Sequence, residues 1–218
     1  MTSSHLHRLA VLALPGVLPL EFGSATQIFD HSVRSFLFAR LLAEHEGSLN
    51  DVAYDEDLLF AASVMHDLGL GEHAHGGARF EVEGADLAAA VLRSHAIAEA
   101  DIDRVWEAIA LHSSAGIAHR RGLLTYLTHT GIFIDVGRIT NAIPERVRQE
   151  VFTAYPRPAG DRSIGDAIVA HAMRSAAAAP PGSLGFELLR QHREAERASR
   201  GNNPDGSAAL RGPTGDGG

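Results

Sequence analysis

His66 and Asp67 close an apolar stretch and run at once into a glycine turn, Leu68-Gly69-Leu70-Gly71. A neutral nitrogen donor thus stands beside an anionic oxygen donor where a buried wall meets a loop, which is where a metal site would be built. Two adjacent side chains cannot enclose an ion alone, so further donors must come from elsewhere. Three residues stand out: His31, His112 and Asp135. His31 opens a helical stretch, and His112 continues the series Ile102, Val105, Ile109 at helical spacing. Asp135 lies within Gly131-Ile132-Phe133-Ile134-Asp135-Val136, the least polar surroundings of any acid here. A carboxylate on such a face is costly unless it is paired or metal-bound. Its other reading is a buried pair with an arginine such as Arg34 or Arg138; taken singly, His112 also reads as a satisfied core residue and His31 as an exposed first-turn one. Together His31, His66, Asp67 and Asp135 offer two imidazoles and two carboxylates from three helices. That mixed set suits a borderline divalent ion, zinc first, with iron, manganese or cobalt as alternatives, and leaves positions for water.

The elements that must carry these residues are helical. Asp30 can cap a helix over 31–46 whose Val33, Phe36, Leu37 and Leu41 form one stripe. Asp55 or Asp57 can cap a second, buried nearly all round, that delivers His66 and Asp67. A third follows over about 81–95, a fourth starts at Asp101 or Asp103 and leads to His112, and a fifth over about 122–139 carries Asp135. Pro144 suits the first turn of a sixth, 144–155. An Ala-rich seventh over 163–178 and a short helix over 184–197 complete an all-α bundle with a short irregular or strand-like N-terminal segment. The organisation reads as residues 1–30, a domain over 31–197, and a disordered tail over 198–218.

Composition narrows the chemistry. The chain has 218 residues, enough for a full core, and no Cys, which excludes disulfides and thiolate ligands. It also has no Lys, so all 19 basic side chains are Arg, and Schiff-base and P-loop chemistry fall away. A net charge of −8 argues against nucleic acid or an anionic membrane as partner. No apolar run reaches the ~18 residues of a membrane span. Residues 9–20 resemble a short signal-peptide core, but Pro15 and Gly16 interrupt it, and a cytoplasmic location is the default.

In its order of His31, His66-Asp67 and Asp135 the chain resembles the HD-domain superfamily of metal-dependent phosphohydrolases, over residues 31–140. A narrower set of words resembles the cyanamide hydratase-like branch over 31–190. These are His31-Ser32-Val33-Arg34, Met65-His66-Asp67-Leu68-Gly69-Leu70, Arg79-Phe80-Glu81-Val82-Glu83-Gly84-Ala85, Val105-Trp106-Glu107-Ala108-Ile109 through His112, Gly131 to Val136, and Tyr155-Pro156-Arg157. The resemblance implies an HD-type bundle with His31, His66, Asp67 and Asp135 as metal ligands, and His112 and Glu81 as pocket residues. Many phosphohydrolase members carry a Lys three residues after the HD aspartate, where this chain has Leu70. Residues 1–30 separately resemble the opening strand and helix of the class-I-glutamine-amidotransferase-like superfamily, as VLALPGVLPLEFGSATQIF.

Three functions follow as expectations. The first is a metal-dependent enzyme adding water to a small neutral substrate of the cyanamide or nitrile type, with Asp67 or Asp135 orienting the water, His112 shuttling a proton and Glu81 in the pocket. The second is hydrolysis of a phosphomonoester or nucleotide, with Arg34, Arg79, Arg120 and Arg121 as the anion site. The third is a non-catalytic metal- or ligand-binding helical module. The partner is a small-molecule substrate in the first two, and a homo-oligomer is left open. His73 and His75, in a Gly-rich loop, read as a lid or a chance metal pair against a plain solvated loop. His5 and His7 belong to the terminus, and Trp106 to the core.

Overall fold

The computed structural model describes residues 26–157 and 164–201. The strand-like reading of the N-terminus, its amidotransferase-like resemblance before residue 26, and the tail beyond 201 lie outside the described residues. Eight α-helices and no strand occur among the described residues: α1 Thr26–His45, α2 Glu56–Met65, α3 Phe80–Ser94, α4 Glu99–Leu111, α5 Leu123–Asp135, α6 Glu145–Ala154, α7 Ile164–Ala172 and α8 Leu184–Gly201. None of them is long and apolar enough to cross a membrane.

Local chemistry explains most boundaries. Asp55 caps α2, its Oδ1 accepting the backbone N–H of Asp57 and Leu58 at 3.1 Å each. Every residue from Leu58 to Met65 is then buried. Asp30 does not cap α1 but lies inside it, because the helix is already formed at Thr26. The fourth helix likewise starts before the expected caps, at Glu99, with Glu99 and Asp101 in the first turn where negative charge suits the dipole. At the end of α5 the chain stops short of residue 139. Gly137 takes φ +75°, and the N–H groups of Gly137 and Arg138 return to the carbonyls of Ile134 and Phe133. The Ala-rich seventh helix ends at Ala172 rather than 178. There Ser175 turns its hydroxyl to the Gly76 carbonyl at 2.5 Å and accepts the Ala178 N–H at 3.1 Å.

The main core draws on α1 to α5, with Phe38, Leu42, Leu58, Leu59, Ile102, Val105, Ile109, Leu127 and Ile134 essentially sealed from solvent. Trp106 is packed against this core, as expected, and its indole N–H reaches Asp86 at 2.8 Å. A smaller cluster of Val169, Ala172, Ala179 and Leu189 joins α7 to α8.

Two close approaches matter for the site. At Gly131, a Cβ would collide with the Ser35 carbonyl and with Ala39 at 2.7 Å, so α5 can cross α1 tightly only with glycine there. At Gly69, a Cβ would overlap the Phe80 carbonyl, so the turn after Asp67 lies directly on the start of α3. Gly131→Ala is therefore expected to lower the free energy of unfolding by ~1–3 kcal/mol, as overpacking does. Gly185→Ala, whose Cβ meets nothing closer than 3.5 Å inside a helix, should be neutral or slightly stabilising. Urea denaturation of both variants checks this, and equal stabilities would show that the α1–α5 crossing can relax.

Candidate metal centre

The expected site residues arrive from five separate helices or their ends. His31 lies on α1, His66 and Asp67 just beyond α2, Glu81 in the first turn of α3, His112 just beyond α4, and Asp135 at the last position of α5. None is more than 3% exposed.

The imidazole tautomers follow from their partners. His66 donates its Nδ1–H to the Ser63 carbonyl at 2.7 Å, which can only accept. His31 presents Nδ1 to Asp135 Oδ2 at 2.5 Å, and a carboxylate likewise accepts. A neutral imidazole has one N–H, so each Nε2 is left with its lone pair. Those two nitrogens face one another at 3.2 Å. Asp67 Oδ2 stands 3.2 Å from His66 Nε2 and 3.7 Å from His31 Nε2. It is close enough for an ion pair, yet it is buried and accepts no hydrogen bond. The ligand atoms of His31, His66 and Asp67 all lie within 4.8 Å of one another.

Three lone pairs directed at one another out of water repel unless a cation or a proton sits among them. Burial works against ionisation of Asp67, but the neighbouring His66, His31 and His112 outweigh it and hold the carboxyl well below the usual range. Burial also opposes charging of His66, and the Asp67 charge more than compensates, raising its pKa. Without a cation, then, this cluster favours a proton. With one, the donors are those a divalent ion takes: two imidazole nitrogens and a carboxylate oxygen. The residues fit such an ion.

Asp135 is not in that group of three. It stands behind His31, gripped by Arg34, whose Nε donates to Oδ1 at 2.6 Å and whose Nη2 donates to Oδ2 at 3.2 Å. The other terminal nitrogen of Arg34 donates to the carbonyls of Tyr155 and Pro156 at 3.3 Å each. The arginine partner foreseen for this carboxylate is thus Arg34 rather than Arg138. Arg157, half exposed, approaches Asp135 Oδ1 at 3.9 Å and lies 4.5 Å over the Phe152 ring.

His112 meets His66 edge-on, ring centroids 4.9 Å apart, and donates Nδ1–H to the Ile109 carbonyl at 2.7 Å. Its own carbonyl accepts from His129 Nδ1 at 2.6 Å. Burial, then the charge of His66, pushes the His112 pKa down to about 4. Glu81 is sealed in, held by Arg79 Nη2 at 2.8 Å and by the Ser113 hydroxyl. Burial opposes its charge, and the Arg79 hydrogen bond leads the groups that keep it ionised.

The Ser63 carbonyl and the Ser113 hydroxyl had no signal in the sequence, since a carbonyl belongs to every residue and a serine beside a histidine is ordinary; Tyr155-Pro156 was marked as a resembling word but not for its carbonyls. His73 and His75 do not join the cluster. Both are exposed, and the loop is shaped by Glu83, whose carboxylate accepts the N–H groups of His75, Gly76 and Ala78 at 2.8–3.1 Å.

A family model described as HD domain matches residues 28–178. No curated protein matches the chain.

The buried His112 gives a pH signature. The unfolded chain takes up this proton near 6.5, the folded chain only near 4. Between those values the unfolded state binds more protons, so stability of the metal-free protein falls as pH drops through the window, by up to ~3 kcal/mol from this group. His129, also lowered by burial, acts in the same direction. His66, raised, contributes stability that is fully present below 6.5 and lost only above it, so it does not mask the effect. Urea unfolding in chelator across this range should show the decline, with a shallower slope in His112→Gln. A flat profile would mean that His112 protonates freely in the folded state.

Proposed function

The chain belongs to the HD domain family, and from that premise we propose a metal-dependent enzyme in which His31, His66 and Asp67 hold a divalent ion and the chemistry is addition of water to a small neutral substrate of the nitrile or cyanamide type. The family is one of metal-dependent hydrolases. The observation that carries the metal reading is the convergence of the Nε2 atoms of His31 and His66 with Asp67 Oδ2, which is buried and accepts no hydrogen bond. Zinc suits two nitrogens and an oxygen; iron, manganese and cobalt suit them too. Bound there, the ion would supply Lewis-acid polarisation and activate water at neutral pH.

The protein's own groups would do the rest. Asp67 orients the attacking water. His112 is neutral at working pH and donates through Nδ1, so Nε2 is free to accept the proton that the water gives up. As the carbon–oxygen bond forms, one π bond of the carbon–nitrogen triple bond breaks, and its electron pair takes that proton at nitrogen. There is no leaving group. Glu81, fixed by Arg79 and Ser113, keeps a negative charge near His112 and favours the moment at which it carries the proton.

A neutral substrate is supported by how the cations are used. Arg34 is spent on Asp135 and two carbonyls, Arg79 on Glu81, and Arg121 on Glu107 at 2.6 Å. Arg120 is exposed on a short turn. The phosphomonoester reading draws its support from Arg157, whose half-exposed guanidinium lies near Asp135.

Elemental analysis of tag-free protein is expected to find about one divalent ion per chain, absent in His66→Ala and Asp67→Ala. The loaded enzyme should then hydrate cyanamide or a small nitrile and leave p-nitrophenyl phosphate intact, with kcat lowered ~10²–10⁴-fold in His112→Ala. Turnover of the phosphate ester alone would replace the first reading by the second. A metal-loaded protein that turns over neither would leave the binding module.

A further inference from the structure

We propose that the end of α7 is a clasp on the loop between Asp67 and Glu81, and that through Phe80 it sets where the His112 ring stands. His171, Arg174, Ser175 and Glu83 are then positioning residues, and the catalytic consequence rests on the role proposed above for His112.

The loop over 72–79 contains no helix or strand, so its backbone groups depend on side chains for partners. Three carbonyls, at every second residue, are taken from the α7 side. Arg174 donates to Ala74, the Ser175 hydroxyl to Gly76 at 2.5 Å, and His171 Nε2 to Ala78 at 3.1 Å. From the first turn of α3, Glu83 accepts the N–H groups of His75, Gly76 and Ala78. Gly76 takes φ +74°, and a Cβ there would meet the Cβ of Arg174 at 2.6 Å. The two segments thus touch with no room for a side chain between them.

His171 shows that the hold is specific. Its ring is 2% exposed, and Nδ1 finds no hydrogen-bond partner among the described residues. A position that needed only filling would be met at lower cost by an apolar side chain. What the imidazole adds is the bond to the Ala78 carbonyl, immediately before Arg79. Phe80, itself buried, lies between two imidazoles. It is edge-on to His171, with ring centroids 6.3 Å apart, and edge-on to His112 at 5.5 Å. Arg79 and Glu81 flank it, and both reach Ser113, the neighbour of His112. Movement of the loop at residue 78 is therefore passed to the His112 ring by packing and to Glu81 along the chain. The ligands His31, His66 and Asp67 sit on α1 and at the end of α2, so the clasp can loosen without emptying the centre.

Paired variants of the full-length protein test this. Ser175→Ala removes one prong at an exposed position, and Ser175→Thr restores the hydroxyl. His171→Phe fills the space without the bond, and His171→Gln returns an N–H. Amide exchange at His75, Gly76 and Ala78 is expected to quicken ~3–10-fold in Ser175→Ala and His171→Phe, with α1 and α2 unchanged. The His112 ring signals in ¹H–¹³C spectra should shift in the same two variants, with and without zinc, and return in Ser175→Thr and His171→Gln. Zinc binding should stay at about one per chain, whereas kcat on cyanamide falls ~10–100-fold at unchanged KM. Faster exchange with the His112 signals or kcat unmoved would make these contacts structural only and overturn the inference. Unaltered exchange would overturn it too. A zinc-loaded wild type that turns over nothing would sink the proposed function instead, and the exchange rates and His112 signals would still decide the clasp.

Discussion

A carboxylate sealed from water stays ionised only if the fold surrounds it with donors, and Asp135 takes them from one helix. His31 and Arg34 sit one turn apart on α1 and grip both oxygens of a group at the end of α5. Burial opposes the charge, and the hydrogen bonds of His31 and Arg34 overcome it. This contact joins α1 to α5, and through the remaining arm of Arg34 it ties both to the chain at 155–156. Breaking a buried pair of this kind by removing one partner typically costs ~3–5 kcal/mol. The rest of the centre is built outward from it, because the direction of the His31 ring is set here.

Close packing supplies the second half of the geometry. Helix α1 can approach α5 only because Gly131 presents no side chain to Ser35 and Ala39. The HD pair is held in the same way: Gly69 lies on Phe80, and at Gly84 an added Cβ would come within 3.1 Å of the His66 carbonyl. Small residues fix backbone positions, hydrogen bonds to Nδ1 fix ring rotation, and the reactive lone pairs are what remains. Neither device alone would do. A correctly placed helix with a free imidazole leaves either nitrogen able to face the ion.

The helical class and the five helix termini around the site were legible in the sequence because apolar periodicity and acidic caps such as Asp55 leave a local trace. So was the grouping of His31 with His66 and Asp67, because two imidazoles and a carboxylate in that order on separate helices make up a metal-ligand set. Boundaries were less legible wherever a distant partner decided them. The seventh helix stops because Ser175 finds the Gly76 carbonyl, almost a hundred residues away in sequence. The side of His31 on which Asp135 stands was illegible for the same reason. Spacing says that a carboxylate and an imidazole can meet, but the choice of Nδ1 or Nε2 depends on Arg34 and on what Arg34 itself is tied to. Ser113 and Ser63 enter through a hydroxyl and a carbonyl that no motif marks.

Charge balance connects this geometry to the substrate. Asp135 is matched by Arg34 and Glu81 by Arg79, and His112 is neutral, so once both ligand imidazoles are neutral the charge left for an ion to meet is that of Asp67. A divalent ion held by His31, His66 and Asp67 would leave a surplus of one positive charge, which would favour loss of a proton from water. That surplus falls short of what a phosphomonoester dianion demands, and a chain without Lys has only Arg to make up the difference. Near the site Arg34, Arg79 and Arg121 are already engaged on carboxylates, a geometry that Arg holds well and surrenders poorly, and the half-exposed Arg157 is the exception. A substrate with no charge of its own would ask nothing more of them, and it is on this ground that the neutral-substrate reading is proposed.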